Sequence, residues 1–265
     1  MSETAGEDLP RICWCPTGTL AFLPLHAAGL YDREERGVKV FDFVVSSYTP
    51  TVSALLQTPS PSSVRPKILA VAQAQSMTPG FSALPNTMQE IQNISKRTSQ
   101  SAVDLFTVED AQGTVKRVLE EMGRCEWVHL ACHGTQDLDD PTKSAFILTD
   151  GNLALEELIK YHLPHAQFAF LSACQTATGD VKLAEEAVHL AAGLMLAGYR
   201  SVIATMWSIR DMDGPQVADD VYAELLKDGK ADHTRAAYAL HHAVQKLRLS
   251  GAPFMAWIPF IHMGI

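Results

Sequence analysis

Nowhere in the 265 residues is there an apolar run long enough to cross a membrane. The longest candidate, Ala184 to Ile203, carries Glu185, Glu186, His189 and Arg200, whereas a span needs about 18–20 apolar residues. Cysteine is scarce: five in all, with Cys13 and Cys15 too close to bridge easily. That count argues against a disulfide framework and for a reducing compartment. The start, "MSETAGEDLP", lacks the basic residues and apolar stretch of a secretory signal. These absences predict a cytoplasmic protein that engages no membrane. Basic charge is also short, 21 Lys and Arg against 30 Asp and Glu for a net −9. An acidic surface disfavours nucleic acid and favours basic partners or substrates. What is plentiful is core-forming material, 47% hydrophobic with 19% charged, enough for one large α/β domain or two small ones.

Short apolar runs alternate with helical periodicity along the chain. "KILAVAQ" (67–73), "AVDLFT" (102–107), "WVHLACH" (127–133), "AQFAFLSA" (166–173) and "RSVIATMW" (200–207) read as buried strands. Between them, apolar residues at 84, 88, 91 and 94 have helical spacing. Further helices are expected over 110–125, capped by Asp110, and over 184–198, 211–227 and 232–249. "SAFILTDGNLAL" reads as a hairpin around Asp150-Gly151. Residues 11–30 suggest two short strands, 41–50 another, "TVSALLQ" a short helix, and "AWIPFIHM" a terminal strand. Residues 58–66 form a Pro/Ser linker. The pattern predicts an α/β fold with a mostly parallel central sheet sandwiched by helices. Residues 1–10 are expected to be a disordered N-terminus and 11–265 a single domain.

In open parallel sheets, ligands gather beyond the carboxyl ends of the strands. Two strand ends carry reactive groups: "WVHLACHG" ends in His133-Gly134, and "FAFLSACQ" ends in Cys174. One hairpin and one helical crossover separate them, so adjacent strands would set imidazole and thiol on the same sheet edge. That is what a Cys/His dyad needs, because the thiolate is the nucleophile and a nearby imidazole takes its proton. The amides of Gly134 and Cys174 could then form an oxyanion hole, at about 3–4 kcal/mol of barrier per donor. Taken alone, Cys174 reads equally as an inert buried cysteine, free Cys being among the most buried residue types. "HLACH" also raises a metal site. On a continuous strand His129 and His133 share one face and Cys132 takes the other, so three ligands would not converge. No metal or other cofactor is predicted, and His129 reads as structural.

At these residues the sequence resembles the CHAT domain, a caspase-like, separase-related family of cysteine peptidases. The resemblance rests on "VHLACHG", "DDPTKSAFILTDGNLALEEL", "FAFLSACQTATGD", "AEEAVHLAAGLMLAGYRSVIATMWSIRD" and the closing "PFMAWIPFIHMGI"; "WCPTGTLAFLPLHAAGLYD" and "VVSSYTP" resemble its fungal versions. It implies a caspase–hemoglobinase-like fold and a hydrolase whose His133 and Cys174 are the dyad, with Gly134 beside the Cys174 amide as oxyanion donor. "TMWSIRDMDG" is similar to the separase stretch in which an acidic residue binds the basic side chain before the scissile bond. Asp211 and Asp213 match that stretch, with Asp211 favoured, and Trp207 is a candidate groove wall. Asp211 also reads as the cap of a helix beginning at 212. The acidic loop "TQDLDDP" (135–141) reads as a solvated loop, or as an attractor of basic peptide or calcium. The resemblance implies a protein or peptide substrate. Its alternative is an inactive or partner-gated interaction module, with a helical-repeat sensor or other regulatory protein as the partner.

Overall fold

The computed structural model describes residues 9–33, 37–56, 65–75, 81–135, 137, 140–172 and 186–265. An eight-stranded sheet lies at its centre, in the order β1 (Arg11–Trp14), β2 (Val45–Tyr48), β11 (Phe260–Gly264), β10 (Ser201–Thr205), β9 (Phe168–Leu171), β5 (Trp127–Ala131), β3 (Lys67–Ala72), β4 (Asp104–Glu109). From β4 across to β10 the neighbours are parallel. β11 is antiparallel to β10, and β2 and β1 continue parallel to β11.

The near-continuous apolar runs follow from burial on both faces. Successive side chains point to opposite sides. Leu69, Val71, Val128, Leu130 and Leu171 join one core with α2 (Val115–Met122), α3 (Leu155–Tyr161) and α4 (Glu186–Ala197). Ile68, Trp127, Phe168, Phe170 and Ile203 join the other with α1 (Thr87–Thr98), α5 (Gly214–Leu225) and α6 (Ala236–Leu249). Each fully buried side chain of this size contributes about 1.5–3 kcal/mol relative to exposure. The expected α/β sandwich, mostly parallel at its centre, is therefore the observed one.

Several local expectations need correction. "WVHLACH" is not one strand. It breaks after Ala131, and β6 (His133–Thr135) joins a separate antiparallel sheet with β7 (Ala145–Leu148) and β8 (Gly151–Ala154). His129 and His133 therefore belong to different sheets rather than to one strand face. Residues 11–30 supply only β1; 3-10 turns follow at Gly18–Phe22 and Leu25–Ala27. Pro24 lacks the N–H group a second strand would donate there. Asp110 does not cap α2: Thr114 does, its hydroxyl accepting the Arg117 N–H. The Asp110 carboxylate accepts from Gln75 N–H instead. "TVSALLQ" forms a 3-10 helix over Val52–Leu56, and the short helix α7 (Phe254–Trp257) precedes β11. Residues 1–8 and most of the 58–66 linker lie outside the described residues.

The β1–β2–β11 flank holds two histidines as neutral rings, His26 partly and His262 fully buried. Tyr48 O–H donates to His26 Nδ1 and His26 Nε2–H donates to the Ile258 carbonyl, both at 2.8 Å. Burial pushes His26 down to about 4. His262, between the Ser47 and Ser201 hydroxyls, is pushed well below the usual histidine value, by burial first and then by Arg11. Between about pH 6.5 and the folded values, the unfolded chain binds protons that the folded chain refuses. Stability is therefore complete above the unfolded value and falls as pH drops through this window. For His26 alone the loss reaches about 3 kcal/mol. Urea unfolding measured at neutral pH and at about pH 4 checks this. The pH dependence should flatten in His26→Asn.

Candidate active site

β5 and β9 lie side by side with Trp127 opposite Phe168 and Leu130 opposite Leu171. Ser172 N–H donates to the Leu130 carbonyl at 3.0 Å, extending the pairing by a residue. The two strands thus end together at the carboxyl edge of the sheet. His133 follows one end by two residues and Ser172 follows the other directly. Cys174 and the rest of 173–185 lie outside the described residues.

His133 is buried, and its Nε2 lies 2.7 Å from the Ser82 carbonyl. A carbonyl only accepts, so the proton sits on Nε2, and in the neutral ring Nδ1 carries the basic lone pair. Phe81 packs against the imidazole with ring centroids 4.9 Å apart. Gly134 is buried on β6 opposite Phe146.

Beneath this edge lies a polar cluster absent from the sequence reading. Glu90 on α1, 1% exposed, accepts from His129 Nε2–H at Oε2 and from the Ser172 hydroxyl at Oε1, both at 2.8 Å. The His129 ring stacks on Phe170, centroids 5.0 Å apart. At Gly214, where α5 begins, a Cβ would sit 2.6 Å from Glu90 Oε1 and 2.8 Å from Ser172 Oγ, so only glycine leaves room. Glu90 thereby ties β5 to the residue two places before Cys174. Its sequence signal was its position: Thr87, Glu90, Ile91, Ile94 and Thr98 form the buried stripe of α1, and a carboxylate on such a stripe demands partners.

Asp211 touches the same helix. Its Oδ2 accepts from Asn86 N–H at 3.0 Å and from Asn86 Nδ2 at 2.7 Å. It docks its turn onto the N-terminus of α1, just after the Phe81-Ser82 support of His133. The expected cap at 212 is absent, because α5 starts at Gly214 and its cap position is Asp213. Asp213 is already engaged, both oxygens accepting from Arg210 at 2.8 Å. Asp211 Oδ1 accepts no hydrogen bond among the described residues. Segment 81–90 thus meets His133, Ser172 and Asp211 at once. Trp207 packs half-buried on the α4 side of the sheet, and its Nε1 has no hydrogen-bond partner among the described residues.

Two further cysteines, Cys125 and Cys132, are buried. Burial pushes the Cys132 thiol up to about 12. Cys125 is also pushed up to about 12, by burial and then by Glu121 and Glu126. Neither ionises appreciably at neutral pH, and the thiolate is the reactive form. In the acidic loop, Asp140 N–H donates to Asp137, while the Asp140 carboxylate holds Thr142 and Lys143.

A mostly parallel sheet between helix layers, with the strand ends of β5 and β9 adjacent, defines a caspase-like α/β fold. The CHAT domain family matches residues 2–265, and the chain belongs to it. Among solved structures, the Arg-specific cysteine proteinase gingipain R (RgpB) aligns at TM-score 0.60 and 12% identity, over 99% of this chain and 64% of its own. A complex of Porphyromonas gingivalis RgpB pro- and mature domains aligns at TM-score 0.60 and 12% identity, over 99% and 66%. The Saccharomyces cerevisiae separase–securin complex aligns at TM-score 0.55 and 12% identity, over 85% of this chain and 14% of that one. The chain is therefore similar in fold to about two thirds of RgpB and to a small part of separase. No curated protein matches the sequence. Among the described residues, no helix is long and apolar enough to cross a membrane.

Proposed function

We propose that this protein is a cysteine endopeptidase with Cys174 as nucleophile and His133 as its proton partner, cleaving after a basic residue, Arg in preference to Lys. The observation that carries this reading is the Ser82 carbonyl on His133 Nε2, which leaves Nδ1 as the nitrogen able to exchange a proton with the thiol. The Cys174 thiolate adds to the scissile carbonyl. The amides of Gly134 and Cys174 hold the oxyanion, and His133 gives the proton to the leaving amine as the C–N bond breaks. Water then adds to the thioester, His133 takes its proton, and the thiolate leaves. Residues 11–265 act as one catalytic domain.

Asp211 is the favoured anchor for the basic side chain, since Asp213 is occupied by Arg210, and Trp207 walls the groove. A carboxylate suits a guanidinium because the pair is charge-assisted and planar. The fold likeness to an Arg-specific proteinase runs in the same direction. The likenesses to a complex with securin and one with a pro-domain favour a protein regulator.

The test uses fluorogenic peptides ending in Arg, Lys or Asp, with and without calcium, alongside a thiol-reactive probe ending in Arg. Turnover of basic peptides, with the label mapped to Cys174, is the expected result. No turnover and no label would instead favour a partner-gated interaction module. Turnover of Asp-ending peptides would overturn the pocket assignment. Asp211→Asn keeps an acceptor for Asn86 while removing the charge. It should lower kcat/KM for Arg peptides by about tenfold to a hundredfold with the melting temperature unchanged. Undiminished Arg preference would leave Asp211 only its role on α1.

A further inference from the structure

A cavity of about 480 Å³ opens between Tyr31 and the Gly37–Asp42 segment on one side and the α6–α7 corner on the other. Four aromatic rings shape it. Tyr31 meets Phe254 edge-on at 4.9 Å, and Phe41 meets Trp257 edge-on at 5.8 Å. Tyr31 and Phe254 are 39% and 53% exposed, so the mouth is greasy and open to solvent. The Arg248 guanidinium stacks 3.4 Å from the Phe41 centroid and lies 5.6 Å from that of Trp257.

Among the described lining residues Arg248 and Lys39 are cations and Asp42 is the one carboxylate, which partly offsets Arg248 through space. Arg97, Arg210 and Arg235 are each paired with a carboxylate. Among the described residues Arg248 has no ion pair, and its Nε is buried without a hydrogen-bond partner. Asp42 lines the same cavity, but its Oδ2 accepts from the Gly37 and Lys39 amides. Burial pushes Arg248 down to about 10. A desolvated guanidinium facing an open cavity favours an anion, and its planar fork fits a carboxylate.

We infer that this cavity binds a carboxylate joined to an aromatic or aliphatic group about one or two amino-acid residues in size. The carboxylate pairs with Arg248 and the apolar part lies among the rings. The volume falls within the range of small-ligand sites. A free organic acid and an acidic residue beside a hydrophobic one in a peptide share this chemistry. The inference stands apart from the peptidase reading and does not depend on it.

Titration of the wild-type protein with hydrocinnamate, hydrocinnamamide and the capped dipeptide acetyl-Glu-Phe-amide, followed by NMR at the Trp257 indole, tests it. Saturable binding of the carboxylates is expected, with the neutral amide at least about tenfold weaker. Tighter binding of the dipeptide would identify a peptide as the source, and tighter binding of hydrocinnamate a free acid. Arg248→Met should erase the preference for acid over amide. Equal affinity for acid and amide in wild type, or no saturable binding up to about 10 mM, would overturn the inference. The wild-type comparison decides the matter even if Arg248→Met fails to fold.

Discussion

Cys174→Ala is expected to abolish turnover of Arg-ending peptides, and His133→Ala to lower kcat by about a thousandfold or more. The first removes the only group proposed to form a bond to substrate. The second removes the base that makes the thiolate and the acid that protonates the leaving amine. Because the two act as a unit, the double variant should be no worse than Cys174→Ala alone. The folded state should survive both changes. His133→Ala leaves the Ser82 carbonyl without its donor, at about 1–3 kcal/mol, which a thermal melt reads separately from the rate. A His133→Gln variant, whose amide nitrogen reaches about as far as the imidazole Nε2, can return a donor to that carbonyl without returning a base. It should recover stability but not turnover, separating the proton-transfer role from a structural one. Full activity in Cys174→Ala would transfer the chemistry to another residue. Cys125 and Cys132 are poor candidates, because burial suppresses both thiolates.

The parts of this site legible in the sequence are those set by short-range periodicity. Apolar runs of strand length, each ending in a small or reactive residue, give the β5 and β9 strands, and their pairing then follows from the α/β pattern. The break after Ala131 was not legible. "WVHLACH" stays apolar through it, while the hydrogen-bonding partner changes from β3 and β9 to β7. Asp211 was legible as an acidic residue near the site, but not in its attachment, since its partner Asn86 is 125 positions away. The cap expected of it depended on a helix start that Gly214 and Pro215 move two residues later. The second strand expected after the Pro16-Thr17-Gly18 turn failed because the apolar run that follows is interrupted by Pro24 and winds into 3-10 turns on either side of it. Glu90 was hidden most fully. It stands beside polar Gln89, between Met88 and Ile91, on a helix with one solvated face, and only its angular position marks it as buried.

Glu90 also gives the largest expected effect on stability. Glu90→Ala removes one carboxylate but strands two donors, His129 Nε2–H and the Ser172 hydroxyl, in a site from which water is excluded. Breaking a buried charged contact in this way costs about 3–5 kcal/mol, a large share of the 5–15 kcal/mol that holds a typical domain folded. Glu90→Gln keeps the shape and one acceptor oxygen, but its amide must point N–H at one of the two donors. Its cost should be lower, about 1–3 kcal/mol. Ser172→Ala removes one of those donors and should partly relieve Glu90→Gln. A double-mutant cycle is therefore expected to show coupling of about 0.5–3 kcal/mol between positions 90 and 172. Urea unfolding of the four proteins measures it. Additive effects, or a Glu90→Ala variant within about 1 kcal/mol of wild type, would mean that the carboxylate does not clamp the two strand ends. With the clamp in place, the residue two positions before the proposed nucleophile is held by α1 rather than by its own loop. The same helix is fixed to α5 by Arg97 and Asp219 and supports His133 through Ser82. Loosening Glu90 should therefore speed amide hydrogen exchange at Leu171 and Ser172 before it does so at Trp127.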